Sequence, residues 1–306
     1  MTSDHLSLRG RLHGTPFTKM SGSGNDFVFF DGRVVDHATV TSPDAIRAIC
    51  NRHNGIGADG IVVLEPIVEE VAPANIHDLI GHDPISGRVQ SNARIHYFNS
   101  DGTPADLCGN ATLCSTVMAA QLGLSVPEAM GLDTPSGRIA SRIGVGGVPE
   151  IDLQPVSTVD ADVLIPLADG EQRIGFALVG VPHLVVLCEQ VDRVPLSARG
   201  PMLRRHLAVG PSGANVNWVS AAADGSWRYR TFERGVEDET LACGTGAVAT
   251  AIMLSAWKRS SSPITIQTSS AKALVVRLDC RDDQWYPTLR GEGRMVFQGS
   301  IGELNI

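Results

Sequence analysis

The chain has 306 residues, of which 43% are hydrophobic, 19% charged and only 5% aromatic, and its formal net charge is -8. It is long enough to bury a sizeable core in one large domain or two ordinary ones, and its acidic balance disfavours nucleic acid and anionic membranes as partners. Apolar stretches such as Ile61–Leu64 and Ala247–Leu254 are too short to span a bilayer, and the polar start from Met1 to Gly14 has no apolar signal-peptide stretch, so a soluble cytoplasmic protein with a small-molecule partner is expected.

In chain order, Met1 to Thr15 is an extension ahead of the first motif, and Lys19 is expected to precede the first strand, Phe27–Phe30. A strand at Gly60–Leu64 is followed by a surface excursion over Val71 to Asn92, interrupted by Pro73 and Pro84, and by a strand at Ile95–Phe98. Further strands are predicted at Leu184–Leu187, Asn215–Val219, Trp227–Phe232 and Ile264–Gln267, with glycine punctuating the runs. Asn110–Leu122 and Gly246–Trp257 read as helices apolar on most faces. Such helices are usually enclosed, so each is expected to be a central helix wrapped by sheet in a mixed α and β protein.

Six cysteines are too sparse for a disulfide framework. Cys50 and His53 stand three apart with no second pair of zinc-like spacing, so no metal site is expected there. Cys188 and Cys280 lie in apolar, strand-like runs and are expected to be buried and inert. Cys114 and His183 are expected to be structural.

The most informative feature is an internal repeat. From Phe98 the chain reads Phe-Asn-Ser-Asp-Gly-Thr-Pro-Ala-Asp-Leu-Cys-Gly, and from Phe232 it reads Phe-Glu-Arg-Gly-Val-Glu-Asp-Glu-Thr-Leu-Ala-Cys-Gly. Each copy is a strand, an acidic turn, Cys-Gly and an apolar helix, so Cys108 and Cys243 occupy equivalent places in two halves. A helix N-terminus offers unpaired N–H groups and a partial positive charge. The amides around Gly109 and Asn110, and around Gly244 and Thr245, therefore suit a carboxylate, and the same field favours a thiolate. One thiolate and one thiol on opposite faces of an α-carbon meet the requirement for inverting a stereocentre. Lys19, Lys258 and Lys272 have no evident pyridine partner or phosphate cradle nearby, so pyridoxal phosphate is not expected and no cofactor is assigned. On the residues alone, space-filling thiols, a cysteine hydrolase and a non-catalytic binding module stay open. A hydrolase needs a histidine base, and no histidine lies in either cysteine motif.

These residues resemble the diaminopimelate epimerase family. The matching series is Lys19-Met20-Ser21-Gly22-Ser23-Gly24-Asn25-Asp26-Phe27, then Asn51-Arg52-His53 with Gly55-Ile56-Gly57-Ala58-Asp59-Gly60, the two cysteine motifs, and Gly213-Ala214-Asn215-Val216-Asn217. The resemblance implies an α/β (α+β) fold of two pseudo-symmetric lobes, 1–132 joined by 291–306 and 133–290, often as a homodimer. It implies conversion of LL-2,6-diaminopimelate to the meso form, toward lysine and peptidoglycan, with Cys108 and Cys243 as the acid and base. Carried over by position, Asn25, Asn99 and Asn215 hold polar groups of the substrate, Glu233 an ammonium and Arg234 a distal carboxylate. Gly109, Asn110, Gly244 and Thr245 hold the carboxylate at the reacting centre. Two departures are Gly60, where many members have glutamine, and Val181, where many have asparagine. A same-fold racemase of another amino acid is the nearest alternative.

Overall fold

The computed structural model describes residues 7–67, 91–105 and 107–304. The excursion over Val71 to Asn92 lies outside them, apart from the backbone of its last two residues. The chain divides into two compact units, Met1–Pro149 with Gly293–Ile306, and Glu150–Glu292.

The first unit opens on α1 (Leu8–Leu12), where the Ser7 hydroxyl accepts from the Gly10 N–H. Leu12 is fully buried, which makes part of the N-terminal extension a piece of this unit's core. There follow β1 (Pro16–Gly22), β2 (Asn25–Asp31), α2 (His37–Val40), α3 (Pro43–Cys50), β3 (Gly60–Pro66), β4 (Ser91–Asn99), α4 (Gly109–Gln121), β5 (Met130–Thr134) and β6 (Gly137–Ile143). The strands pair β1–β2 antiparallel, β2–β3 parallel, β3–β4 antiparallel, β4–β5 parallel and β5–β6 antiparallel. Parallel neighbours need a crossover; α3 lies on the first and α4 on the second. Lys19 does not precede the first strand but lies inside β1, where it is buried and ion-paired with Asp26 at 2.7 Å. A lysine beside Met20 and Phe17 is tolerated in the strand because Asp26, across the β1–β2 turn, neutralises it.

The second unit comprises β7 (Pro149–Asp152, its first residue belonging to the first unit), β8 (Val159–Asp160), β9 (Glu171–Val179), β10 (Val181–Cys188), α5 (Leu196–Arg204), β11 (Asn215–Ala221), β12 (Trp227–Glu233), β13 (Asp238–Thr240), α6 (Gly244–Ala256), β14 (Ile264–Gln267), β15 (Ala273–Arg281) and β16 (Gln284–Arg290). Its pairings repeat the order of the first unit: β9–β10 antiparallel, β10–β11 parallel, β11–β12 antiparallel, β12–β14 parallel and β14–β15 antiparallel. Here α5 and α6 occupy the crossovers. The last strand, β17 (Arg294–Ser300), is back in the first unit and antiparallel to β1. The repeated Cys-Gly motif is thus the visible part of a repeated fold.

Both central helices are enclosed, as their composition requires. In α4 every residue from Gly109 to Thr116 is buried, and in α6 every residue from Gly246 to Leu254. Ile252, Met253 and Leu254 are fully buried; at roughly 1.5–3 kcal/mol each, such side chains hold α6 by packing rather than by helix propensity. The buried hydroxyls are satisfied within the helices. Thr112, Ser115, Thr116 and Thr250 each donate to the carbonyl four residues back, at 2.8–2.9 Å.

Cys50 and Cys188 are buried, and burial pushes both thiols up to about 12, so they are inert. Cys280, expected beside Cys188 in the core, is instead exposed. Only the first part of β15 is covered, with Leu274 and Val276 fully buried, and the strand then runs out beyond the core to Arg281.

Candidate active site

In each unit the residues singled out in the sequence gather at one end of the sheet, around the N-terminus of the central helix. Antiparallel pairing sets the start of β3 beside the end of β4, with Gly60 opposite Asn99. The parallel register sets Phe27 beside Gly60, bringing the start of β2, and hence Asn25, to the same end. The second unit repeats this with His183 beside Asn215 in β10 and β11, and Val216 opposite Phe232 near the end of β12.

Cys108 and Cys243 are the N-cap residues of α4 and α6, with φ/ψ of -133°/114° and -131°/111°. Two thiols nearly half the chain apart thus sit on the same local backbone. Neither N-cap side chain takes a capping hydrogen bond, so the first-turn N–H groups of Gly109 and Asn110, and of Gly244 and Thr245, are not covered from the cap and keep their capacity for an anion. Cys243 is 9% exposed and Cys108 is half-buried.

Around Cys108, Asn110 donates to Asn25 Oδ1 at 2.7 Å, and Asn25 donates to Asp59 at 3.0 Å. Asn110 Oδ1 is buried and accepts no hydrogen bond from the protein, a state that buried acceptors rarely keep unless a ligand supplies the donor. Behind Asn25, Asp26 pairs with Lys19 and Arg52, and Arg52 also reaches Asp59 at 2.6 Å. Burial raises the Asp26 carboxyl, but hydrogen bonds from Arg52 and Lys19 outweigh it and hold the net pKa below the usual value. Asn99 donates to Thr103 Oγ1 at 3.1 Å, a bond that uses one hydrogen of its amide. A Cβ at Gly60 would lie 2.4 Å from the Phe98 carbonyl oxygen and 2.7 Å from the Tyr97 ring. Position 60 therefore has no room for a side chain: the Phe98 carbonyl and Tyr97 occupy the space into which one would grow.

Around Cys243 a polar cluster appears that the sequence alone did not reveal. The fully buried Tyr229 hydroxyl accepts from the Cys243 N–H and donates to the Cys243 carbonyl, both at 2.8 Å. Asn217 donates to the Leu184 carbonyl at 2.9 Å and accepts from Thr231 at 2.9 Å, which orients its amide. Its Nδ2 then donates to His183 Nδ1 at 3.2 Å, so the imidazole proton sits on Nε2 and points to Thr245 Oγ1 at 3.1 Å. The Thr245 hydroxyl lies 3.5 Å from Cys243 Sγ, able to accept from the thiol or donate to the thiolate. Burial, then the nearby Arg234 charge, pushes His183 down to about 3, so the ring is neutral at physiological pH. Gly246 lets this cluster close, since a Cβ there would lie 2.4 Å from Asn217 Oδ1. His183 is thus both buried, as expected, and joined to the Cys243 turn. The available signal was Asn217, two residues from Asn215 and so on the same strand face.

Asn215 accepts from the Arg234 N–H at 2.7 Å, which sets the turn carrying Arg234. Glu233 accepts from the Thr240 hydroxyl at 2.6 Å. Val181 starts β10 at the place that Asn25 holds in β2.

Compared with solved structures, the chain has a TM-score of 0.65 to a PhzF-family phenazine biosynthesis protein of Bacillus anthracis, at 14% identity over 93% of this chain and 98% of that one. It scores 0.61 against a hydroxyproline epimerase of Agrobacterium vitis, at 17% identity over 94% and 92%. The fold is therefore that of the PhzF and proline racemase-like proteins. The diaminopimelate epimerase family model matches residues 17–153 and 175–285. A diaminopimelate epimerase of Gemmatimonas aurantiaca is 54% identical over 94% of this chain and 99% of its own length, and one of Aquifex aeolicus 34% identical over 94% and 98%. The chain belongs to the diaminopimelate epimerase family, and with it to the isomerases.

Proposed function

We propose that this protein converts LL-2,6-diaminopimelate to the meso isomer without a cofactor, with Cys108 and Cys243 as the acid and base. The observation that carries the reading is the matched pair of N-caps: two cysteines with the same backbone geometry, each opening the buried central helix of a unit with the same strand order. Family membership supplies the substrate.

In this scheme one thiolate removes the α-proton and the other thiol delivers a proton to the opposite face. The negative charge that develops spreads into the substrate carboxylate, and the amides of Gly109, Asn110, Gly244 and Thr245 stabilise it. Such preorganised donors act in place of a cofactor. Thr245, held by His183, which Asn217 holds in turn, lies within reach of Cys243 Sγ; once that sulfur is a thiolate, the hydroxyl donates to it and favours the charged form. The two thiols titrate as a coupled pair. The orphaned Asn110 Oδ1 suits a substrate N–H. Asn25, Asn99, Asn215 and Glu233 receive polar and ammonium groups, and Arg234 takes the distal carboxylate through its planar fork.

Among the described residues no helix is long and apolar enough to cross a membrane. We place the enzyme in the cytoplasm as a homodimer, with no nucleic-acid or membrane partner; Val296 and Phe297 of β17, 45% and 47% exposed, are apolar surface suited to self-association. The test is to incubate reduced, extensively dialysed protein with LL-2,6-diaminopimelate and resolve the product by chiral chromatography. Meso product is expected; its absence, alongside turnover of a proline derivative, would reassign the substrate.

A further inference from the structure

Three side chains outside every motif considered above converge in the first unit: His37 at the start of α2, Glu65 in β3 and His96 in β4. Antiparallel register pairs Val63 with His96 and Glu65 with Arg94, so Glu65 and His96 share one face of the sheet. His96 Nε2 lies 2.9 Å from Glu65 Oε2, and His37 Nε2 lies 3.9 Å from Glu65 Oε1. The two imidazoles meet edge to face with centroids 4.7 Å apart, and all three ligand atoms fall within 4.8 Å of one another. Gly32 lies close behind Glu65, since a Cβ there would lie 2.4 Å from its Cγ.

A second observation points to a ligand. His37 Nε2 is buried and has no hydrogen-bond partner. At 3.9 Å the Glu65 oxygen is beyond hydrogen-bond reach, so a nitrogen that water hardly touches faces the carboxylate and the other imidazole unsatisfied. A cation placed among the three would take its lone pair.

We propose that His37, Glu65 and His96 bind a divalent transition-metal ion of the zinc type. With metal–nitrogen and metal–oxygen bonds of about 2.0–2.2 Å, tetrahedral ligands stand roughly 3.3–3.5 Å apart. The two separations from Glu65, 2.9 and 3.9 Å, straddle that value, and the imidazole pair lies within 4.8 Å, so side-chain rotations that draw the three together complete the site. Two imidazoles and one carboxylate favour zinc and its transition-metal neighbours, whereas calcium and magnesium prefer all-oxygen shells. The side chains are 29–35% exposed, which leaves a path for the ion and a fourth position for water. Bound metal pins α2 to β3 and β4, and this role is independent of the thiol chemistry. Spacing rules miss such a site because its ligands come from three elements rather than one compact motif.

The experiment uses the full chain stripped with chelator, titrated with zinc chloride by calorimetry and with cobalt(II) by absorption. One equivalent of zinc is expected to bind and to raise the melting temperature, with affinity falling at least tenfold in His37→Ala and in His96→Ala. Cobalt is expected to show visible ligand-field bands without strong thiolate-to-metal charge transfer, separating this site from the cysteines. Circular dichroism checks the fold of each variant, and His37→Gln replaces any alanine variant that unfolds. Equal zinc affinity in wild type and folded His37 and His96 variants, no zinc binding to wild type, or a cobalt spectrum dominated by thiolate would overturn the proposal.

Discussion

Replacing Tyr229 by phenylalanine removes one oxygen atom from behind Cys243. That hydroxyl is the acceptor for the Cys243 N–H and a donor to the Cys243 carbonyl, both at 2.8 Å. The carbonyl keeps the Ala247 N–H at 3.0 Å, so the loss falls mainly on the N–H. Leaving a buried donor unsatisfied costs about 1–3 kcal/mol. At roughly 2–4 °C per kcal/mol for a protein of this size, a mid-range loss of about 2 kcal/mol lowers the melting temperature by roughly 4–8 °C. The same two bonds hold the N-cap at φ/ψ of -131°/111°, and a misplacement of about 1 Å costs on the order of 100-fold in rate. Thermal melts and steady-state epimerisation should therefore show a lower melting temperature together with a ten- to hundredfold drop in kcat, about the range that such misplacement allows, and little change in KM. Burial, and then the Cys243 charge, raises the Tyr229 pKa well above its ordinary value. The hydroxyl stays protonated in any practical assay, so the kcat deficit should not vary across mildly alkaline pH. A variant with wild-type melting temperature and kcat would refute the clamp.

His183 should make stability depend on pH. Its folded pKa of about 3 lies below the ordinary 6.5, so the unfolded chain binds the extra proton first: the stabilisation is complete above about 6.5 and is lost as pH falls toward 3. Denaturant titrations should show wild type losing about 2 kcal/mol more than His183→Gln between about pH 7 and about pH 5; equal losses would remove His183 as the cause. Gly60→Gln should destabilise rather than restore a family contact, because the Phe98 carbonyl and the Tyr97 ring stand 2.4 and 2.7 Å from the new Cβ. Overpacking of this kind costs about 1–3 kcal/mol, measurable by denaturant titration, and a neutral or stabilising result would show that β4 yields easily.

The two halves were legible because Cys-Gly before an apolar helix is a local pattern, and locality is what a sequence displays. Ile264–Gln267 coincides with β14 for the same reason: four residues between turns, alternating in burial. Lys19 misled because its charge is neutralised by Asp26 across a β-hairpin register. Cys280 misled because an apolar run marks a strand without saying where the core ends. At the candidate site, Cys108, Cys243 and their flanking amides could be named from spacing, whereas Tyr229, Thr231, Asn217 and His183 come from three strands and meet only after pairing. The glycine at position 60 looked like a lost contact, and only the neighbouring strand shows why a side chain has no room.

The two-thiol scheme is tested most directly by the isotope content of the first turnovers in deuterated water. The thiol that delivers a proton has exchanged with solvent, and the proton removed from the substrate stays on the other thiol. Mass spectrometry of early time points should find deuterium at the inverted carbon of the meso product, while the remaining LL isomer keeps its original α-proton. Meso product that retains the substrate's own proton, or LL isomer labelled before meso product accumulates, would contradict a separate acid and base and point to a single group acting on both faces.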